Sequence, residues 1–123
     1  MIAAALLVAA VSPDPIVGTW EGTSLCQVKP SPCHDEHVVY RVNALEKGLY
    51  RVAAYKVVGG QEQFMGPIDL KLDSSARTLA GSNRDRSGVD HPWIFTISGN
   101  HMSGRALTAP NGQVFRLIEV TKR

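Results

Sequence analysis

Residues 16–42 read IVGTWEGTSLCQVKPSPCHDEHVVYRV, and this stretch decides the fold. Its first part alternates, with Gly18, Trp20 and Gly22 on one face and Thr19, Glu21 and Thr23 on the other. That period of two is the signature of a half-buried strand. Its last part alternates again, setting Val38, Tyr40 and Val42 against Val39, Arg41 and Asn43. Between the two runs lie both cysteines and a tight His/Asp/Glu/His cluster. The reading is two strands joined by a braced loop.

The rest of the chain repeats the theme. Runs at Leu49–Val58, Phe64–Asp73, Thr78–Ser82, Pro92–Ser98, His101–Thr108 and Gln113–Lys122 are separated by Glu46-Lys47-Gly48, Gly59-Gly60, Ser74-Ser75, Gly99-Asn100 and Pro110-Asn111-Gly112, all turn-forming combinations. Gly66-Pro67 interrupts one run and marks a bulge or an edge. Asn83–His91 (NRDRSGVDH) is the most polar segment and reads as a loop. With the first two runs (Ile16–Leu25 and Glu36–Ala44) this makes eight short strands and no helix-length periodicity. The fold class is therefore all-β: an antiparallel up-and-down meander. Closing it into a small eight-strand barrel removes the exposed edges. The expected inward set is Trp20, Val38, Tyr40, Val42, Tyr50, Val52, Ala54, Trp93, Phe95, Ile97, Met102, Val114, Arg116, Ile118 and Val120.

At 123 residues the chain holds one core, so residues 16–123 are read as a single β-barrel domain. Its 44% hydrophobic and 20% charged residues are those of a globular protein rather than a disordered one. A net charge of +2, with Lys and Arg dispersed, argues against a nucleic-acid partner. Met1–Val11 (MIAAALLVAAV) is too short an apolar run to span a bilayer. Residues 1–12 are expected to be the remnant of a secretory signal peptide, with Val8-Ala9-Ala10 as an acceptable cleavage site and no basic residue ahead of it. The mature chain is then expected to be secreted or periplasmic, without a transmembrane segment. In that compartment Cys26 and Cys33 pair as a disulfide. A ring this small stabilises by roughly 2 to 2.5 kcal/mol, and by less where Pro30 and Pro32 already stiffen the unfolded chain.

Gly18-Thr19-Trp20 on the first strand and Arg116 on the last resemble the Gly-x-Trp and late-strand Arg of lipocalin-like (calycin) barrels. The resemblance implies that Arg116 packs across the Trp20 ring and that the pair closes one end of the barrel. Avidin-like barrels also begin with a Gly-Thr-Trp strand. The Cys33-His34-Asp35-Glu36-His37 stretch is similar to one in small secreted bacterial proteins of unassigned function.

Three functional readings follow. The first is non-enzymatic binding of a small apolar or amphipathic ligand, with Trp20 and Arg116 at the base and Tyr40, Tyr50, Trp93 and Lys56 nearer the ligand. Lys56 shares alternation parity with Tyr50, Val52 and Ala54, which would aim it at the barrel mouth. The second is an interaction module that recognises a protein or envelope partner through the Cys26–His37 loop. The third is a metal site on His34, Glu36 and His37, whose imidazoles and carboxylate suit zinc, copper or nickel. In a strand, however, Glu36 and His37 point to opposite faces. No serine-nucleophile, phosphate-loop or dinucleotide motif occurs and no carboxylate pair is indicated, so neither an enzyme nor a cofactor is expected.

Overall fold

The computed structural model describes residues 14–28, 32–108 and 112–123. Eight strands follow in order: β1 (Gly18–Cys26), β2 (Glu36–Glu46), β3 (Leu49–Val58), β4 (Gln61–Asp73), β5 (Thr78–Arg84), β6 (Asp90–Ser98), β7 (His101–Leu107) and β8 (Val114–Lys122). Each pairs antiparallel with the next, and β8 returns to β1 to close the barrel. Among the described residues there is no helix, and so none long and apolar enough to cross a membrane. The expected signal-peptide remnant, residues 1–12, lies outside the described residues.

Alternation builds the core. Trp20, Val38, Tyr40, Val42, Tyr50, Val52, Ala54, Trp93, Phe95, Ile97, Met102, Ile118 and Val120 form one buried cluster, joined by Ile16, Ile68, Leu70, Leu79 and Ala106. Val114 is the exception to the expected inward set. The β7–β8 register slips between Ala106, which faces Arg116, and Leu107, which faces Val114. Phe115 is the extra residue of that bulge, and the slip moves Val114 out of phase with Arg116.

Closure needs close strand approach at Gly22. A Cβ there would lie 1.9 Å from the Glu119 carbonyl oxygen, so only glycine lets β8 lie down on β1. The β3–β4 hairpin turns on Gly59 and Gly60, both at positive φ, as the Gly-Gly pair predicts.

The polar 83–91 segment is more ordered than its composition suggests. β5 runs on to Arg84 and β6 begins at Asp90, with Asn83 opposite His91 and Arg84 opposite Asp90. Asp85 caps the remaining turn, its Oδ1 accepting from Ser87 N, Ser87 Oγ and Val89 N at 2.9–3.0 Å. One carboxylate thus does the work of several backbone partners.

The wall is uneven. β4 meets β5 only from Leu70 to Asp73, opposite Gly81 to Thr78. Beyond Leu70 the two strands part, and among the described residues the Gln61–Asp69 part of β4 has β3 as its only sheet neighbour.

Candidate functional site

The two ends of the barrel differ. At one end, here the base, the chain before β1 folds across the opening. Trp20 Nε1 donates to Ile16 O at 3.0 Å and Tyr50 Oη donates to Asp14 Oδ2 at 2.6 Å. Lys122 Nζ donates to Pro15 O at 2.9 Å and lies 5.9 Å from the centre of the Trp20 ring. Desolvation first, and then the bond to Asp14, push the Tyr50 phenol up to about 12.

This corrects the expected Trp20–Arg116 pair. The basic residue over Trp20 is Lys122, because the β1–β8 register sets Trp20 opposite Lys122 and Cys26 opposite Arg116. Six strand residues separate the two positions, about 20 Å at ~3.3 Å per residue. Gly18 permits the Lys122 cover: a Cβ there would lie 2.7 Å from Lys122 Cε. Tyr50, expected near the ligand, belongs to the sealed base with Trp20.

Arg116 sits at the opposite end, the mouth. Its Nη1 donates to Ser24 O, Ser24 Oγ and His34 O at 3.0–3.3 Å and lies 3.4 Å from Glu36 Oε1. The guanidinium therefore ties together β1, β8 and the segment after the disulfide. Cys26 is bonded to Cys33, with Cα atoms 5.8 Å apart, and Cys26 N donates to Asp35 Oδ1 at 2.8 Å. Residues 29–31 of this loop lie outside the described residues.

Beneath the mouth is a cavity of about 280 Å³. Tyr40, Ala54, Ile68, Trp93 and Phe115 give it apolar walls, and Glu36, Arg116, Asn83, Asp85 and His91 give it a polar rim. Met65 and Gly66 line it from β4, beside the parting from β5. Two register irregularities shape it, one between Ala54 and Tyr55 and one between Ala106 and Leu107. Each puts neighbouring residues (Met65 with Gly66, Phe115 with Arg116) on one cavity wall, where strict alternation would separate them.

The polar bookkeeping is unusual. Tyr40 Oη, Trp93 Nε1 and His91 Nδ1 are buried and have no hydrogen-bond partner among the described residues. All three side chains line this cavity. Native interiors satisfy nearly all such groups, and one left unmade costs about 1–3 kcal/mol. Tyr40 is 1% exposed and its ring meets Trp93 and Phe95 edge-on at 6.5 and 6.1 Å. Burial, reinforced by the Glu36 charge and partly offset by Arg116, pushes its phenol well above the ordinary range. It stays a neutral O–H.

His91 is held by its other nitrogen, with Nε2 2.7 Å from Asp85 Oδ2. That bond, followed by those from the Val89 and Ser87 groups, holds the Asp85 carboxyl far below the usual range. An ionised carboxylate only accepts, so Nε2 carries a proton. The His91 ring also stacks edge-on against Phe115 at 5.2 Å.

Of the residues expected near a ligand, Tyr40, Trp93 and Arg116 come together here. Lys56 sits towards the mouth, opposite Val38 and Gln63, but does not line the cavity. The expected His34–Glu36–His37 metal site is not formed. Glu36 turns inward to Arg116, His37 turns outward to pair with Glu21, and no group of three ligating side chains occurs among the described residues. Opposite faces of one strand cannot converge on one ion. Met65, Asn83, Asp85 and Phe115 carry no site signal in the sequence, and His91 stands out there only as a possible third ligand for the metal reading. Gly66-Pro67 signalled one bulge; the polarity of 83–91 hid Asn83, Asp85 and His91, and Phe115 comes in through the β7–β8 bulge. No protein-family model and no curated protein matches this chain.

Proposed function

We propose that this barrel binds a small amphipathic molecule in the cavity beneath its mouth, without transforming it, in a secreted or periplasmic setting. One observation carries the reading: three buried polar groups without protein partners, on Tyr40, Trp93 and His91, line a single cavity with apolar walls. A pocket of apolar surface with a few fixed polar groups is the usual form of a small-molecule site. Its volume lies at the small end of that class.

Binding rather than catalysis is favoured because the charged groups are already committed. Glu36 is spent on Arg116, and Asp85 on His91, Ser87 and Val89. The sealed base and braced mouth suit a receptacle, and the disulfide suits an oxidising compartment. The eight-strand meander with a basic side chain over the first-strand Trp supports a lipocalin-like relationship, Lys122 standing where Arg116 was expected.

The two tryptophans supply a test with its own control, since Trp93 lines the cavity while Trp20 is bonded at the base. Small aromatic fragments titrated into ¹⁵N-labelled protein should shift the Trp93 indole N–H resonance saturably and leave that of Trp20 unmoved. Equal movement of both, or no saturation by any fragment, defeats the proposal.

A further inference from the structure

We infer that the ligand of this cavity is electrically neutral and oxygen-bearing: a carbonyl or hydroxyl on a compact apolar body. The inference rests on the binding reading above and supplies its chemistry. The unpartnered groups set the polarity. Trp93 Nε1–H can only donate, and Tyr40 Oη–H is a neutral hydroxyl with its proton to give. Trp93 therefore calls for an acceptor and Tyr40 can serve the same one, which an oxygen supplies and an ammonium or a hydrocarbon does not. His91 Nδ1, with Nε2 protonated against Asp85, is an acceptor in the neutral ring and would suit a hydroxyl.

The charges disfavour an ionic ligand. The rim carries two carboxylates, Glu36 and Asp85, against one permanent cation, Arg116. An anion meets a rim already neutral or negative, and the guanidinium Nη1 of Arg116 is already held by Ser24, His34 and Glu36. A cation finds Asp85 saturated by four donors and Glu36 facing Arg116. Burying an unpaired charge between Tyr40 and Trp93 is costly in either sign.

Size narrows the class further. The cavity of about 280 Å³ lies at the small end of small-molecule sites. That suits a compact molecule rather than a long acyl chain. The three polar atoms are themselves covered, so a ligand oxygen reaches them as a lining side chain gives way. Met65, unbranched and 42% exposed on its bulge, is the side chain freest to do so.

The test uses four probes of matched size on the full chain: acetophenone, cumene, benzoate and benzylammonium, followed by the two indole resonances. Acetophenone should bind about tenfold or more tighter than the other three, the effect of one or two hydrogen bonds gained. Tyr40→Phe, which keeps the ring, should cut the acetophenone–cumene ratio severalfold. Cumene binding as well as acetophenone overturns the oxygen assignment while leaving the cavity reading standing. Tighter benzoate or benzylammonium overturns neutrality. Failure of every probe to move the Trp93 resonance removes this inference and the binding reading together.

Discussion

Tyr40→Phe is the most informative single substitution. In most cores it removes a satisfied hydroxyl and destabilises by about 1 kcal/mol. Here the hydroxyl is sealed from solvent and has no partner among the described residues, so removing it releases a desolvation cost of about 1–3 kcal/mol. The lost oxygen leaves a void of ~20 Å³, which at ~24 cal/mol per Å³ returns about 0.5 kcal/mol of that. The ring keeps its edge contacts with Trp93 and Phe95. The net expectation is a gain near 1 kcal/mol, read as a higher urea midpoint at unchanged slope and a Tm higher by roughly 4 °C. The same variant should bind acetophenone more weakly. A stability gain coupled to a binding loss is the mark of a group kept for a ligand. A Tyr40→Phe protein destabilised by 1 kcal/mol or more would mean that the hydroxyl is satisfied, and the reasoning from unpartnered groups would fall with it.

Four further outcomes are expected. Gly22→Ala should destabilise by more than about 3 kcal/mol, because its Cβ meets the β8 backbone and not a movable side chain; a well-folded, unshifted variant in thermal melts would contradict the closure described. Lys122→Met should cost about 1–2 kcal/mol, from the Pro15 bond and the cation–π contact, and should perturb Trp20 fluorescence. Arg116→Met should leave the Trp20 signal alone, and the reverse pattern would restore the original pairing. Reducing Cys26–Cys33 should lower stability by up to about 2 kcal/mol in urea unfolding, and no change would mean that the Asp35 and Arg116 bonds brace the loop unaided. Asp85 has a folded-state pKa below its ordinary 3.8, so its contribution is full above pH 3.8 and fades as the pH falls below it. The Tm gap between the native protein and Asp85→Asn should therefore narrow from pH 6 to pH 2, and a gap independent of pH would show that the carboxylate charge is not what caps the turn.

Strand number, order and most inward faces could be read from the chain alone. Period-two alternation and Gly-based turns are local signals, and each pairs a strand with its sequence neighbour. The disulfide was legible for a similar reason, there being only two cysteines to pair. The site was not. Alternation put Arg116 on the inner face but said nothing of its height, and the Gly-x-Trp motif suggested the wrong end. Only the β1–β8 register, a contact between the two ends of the chain, set Lys122 over Trp20 and sent Arg116 to the mouth. Likewise His91 lay in a segment too polar to look structural, and Phe115 had the wrong parity until a one-residue bulge turned it. Away from bulges, inward or outward is settled by each residue's immediate neighbours. Which end of a barrel a side chain reaches, and what it meets there, depends on how distant strands slide past one another, and tertiary closure alone fixes that.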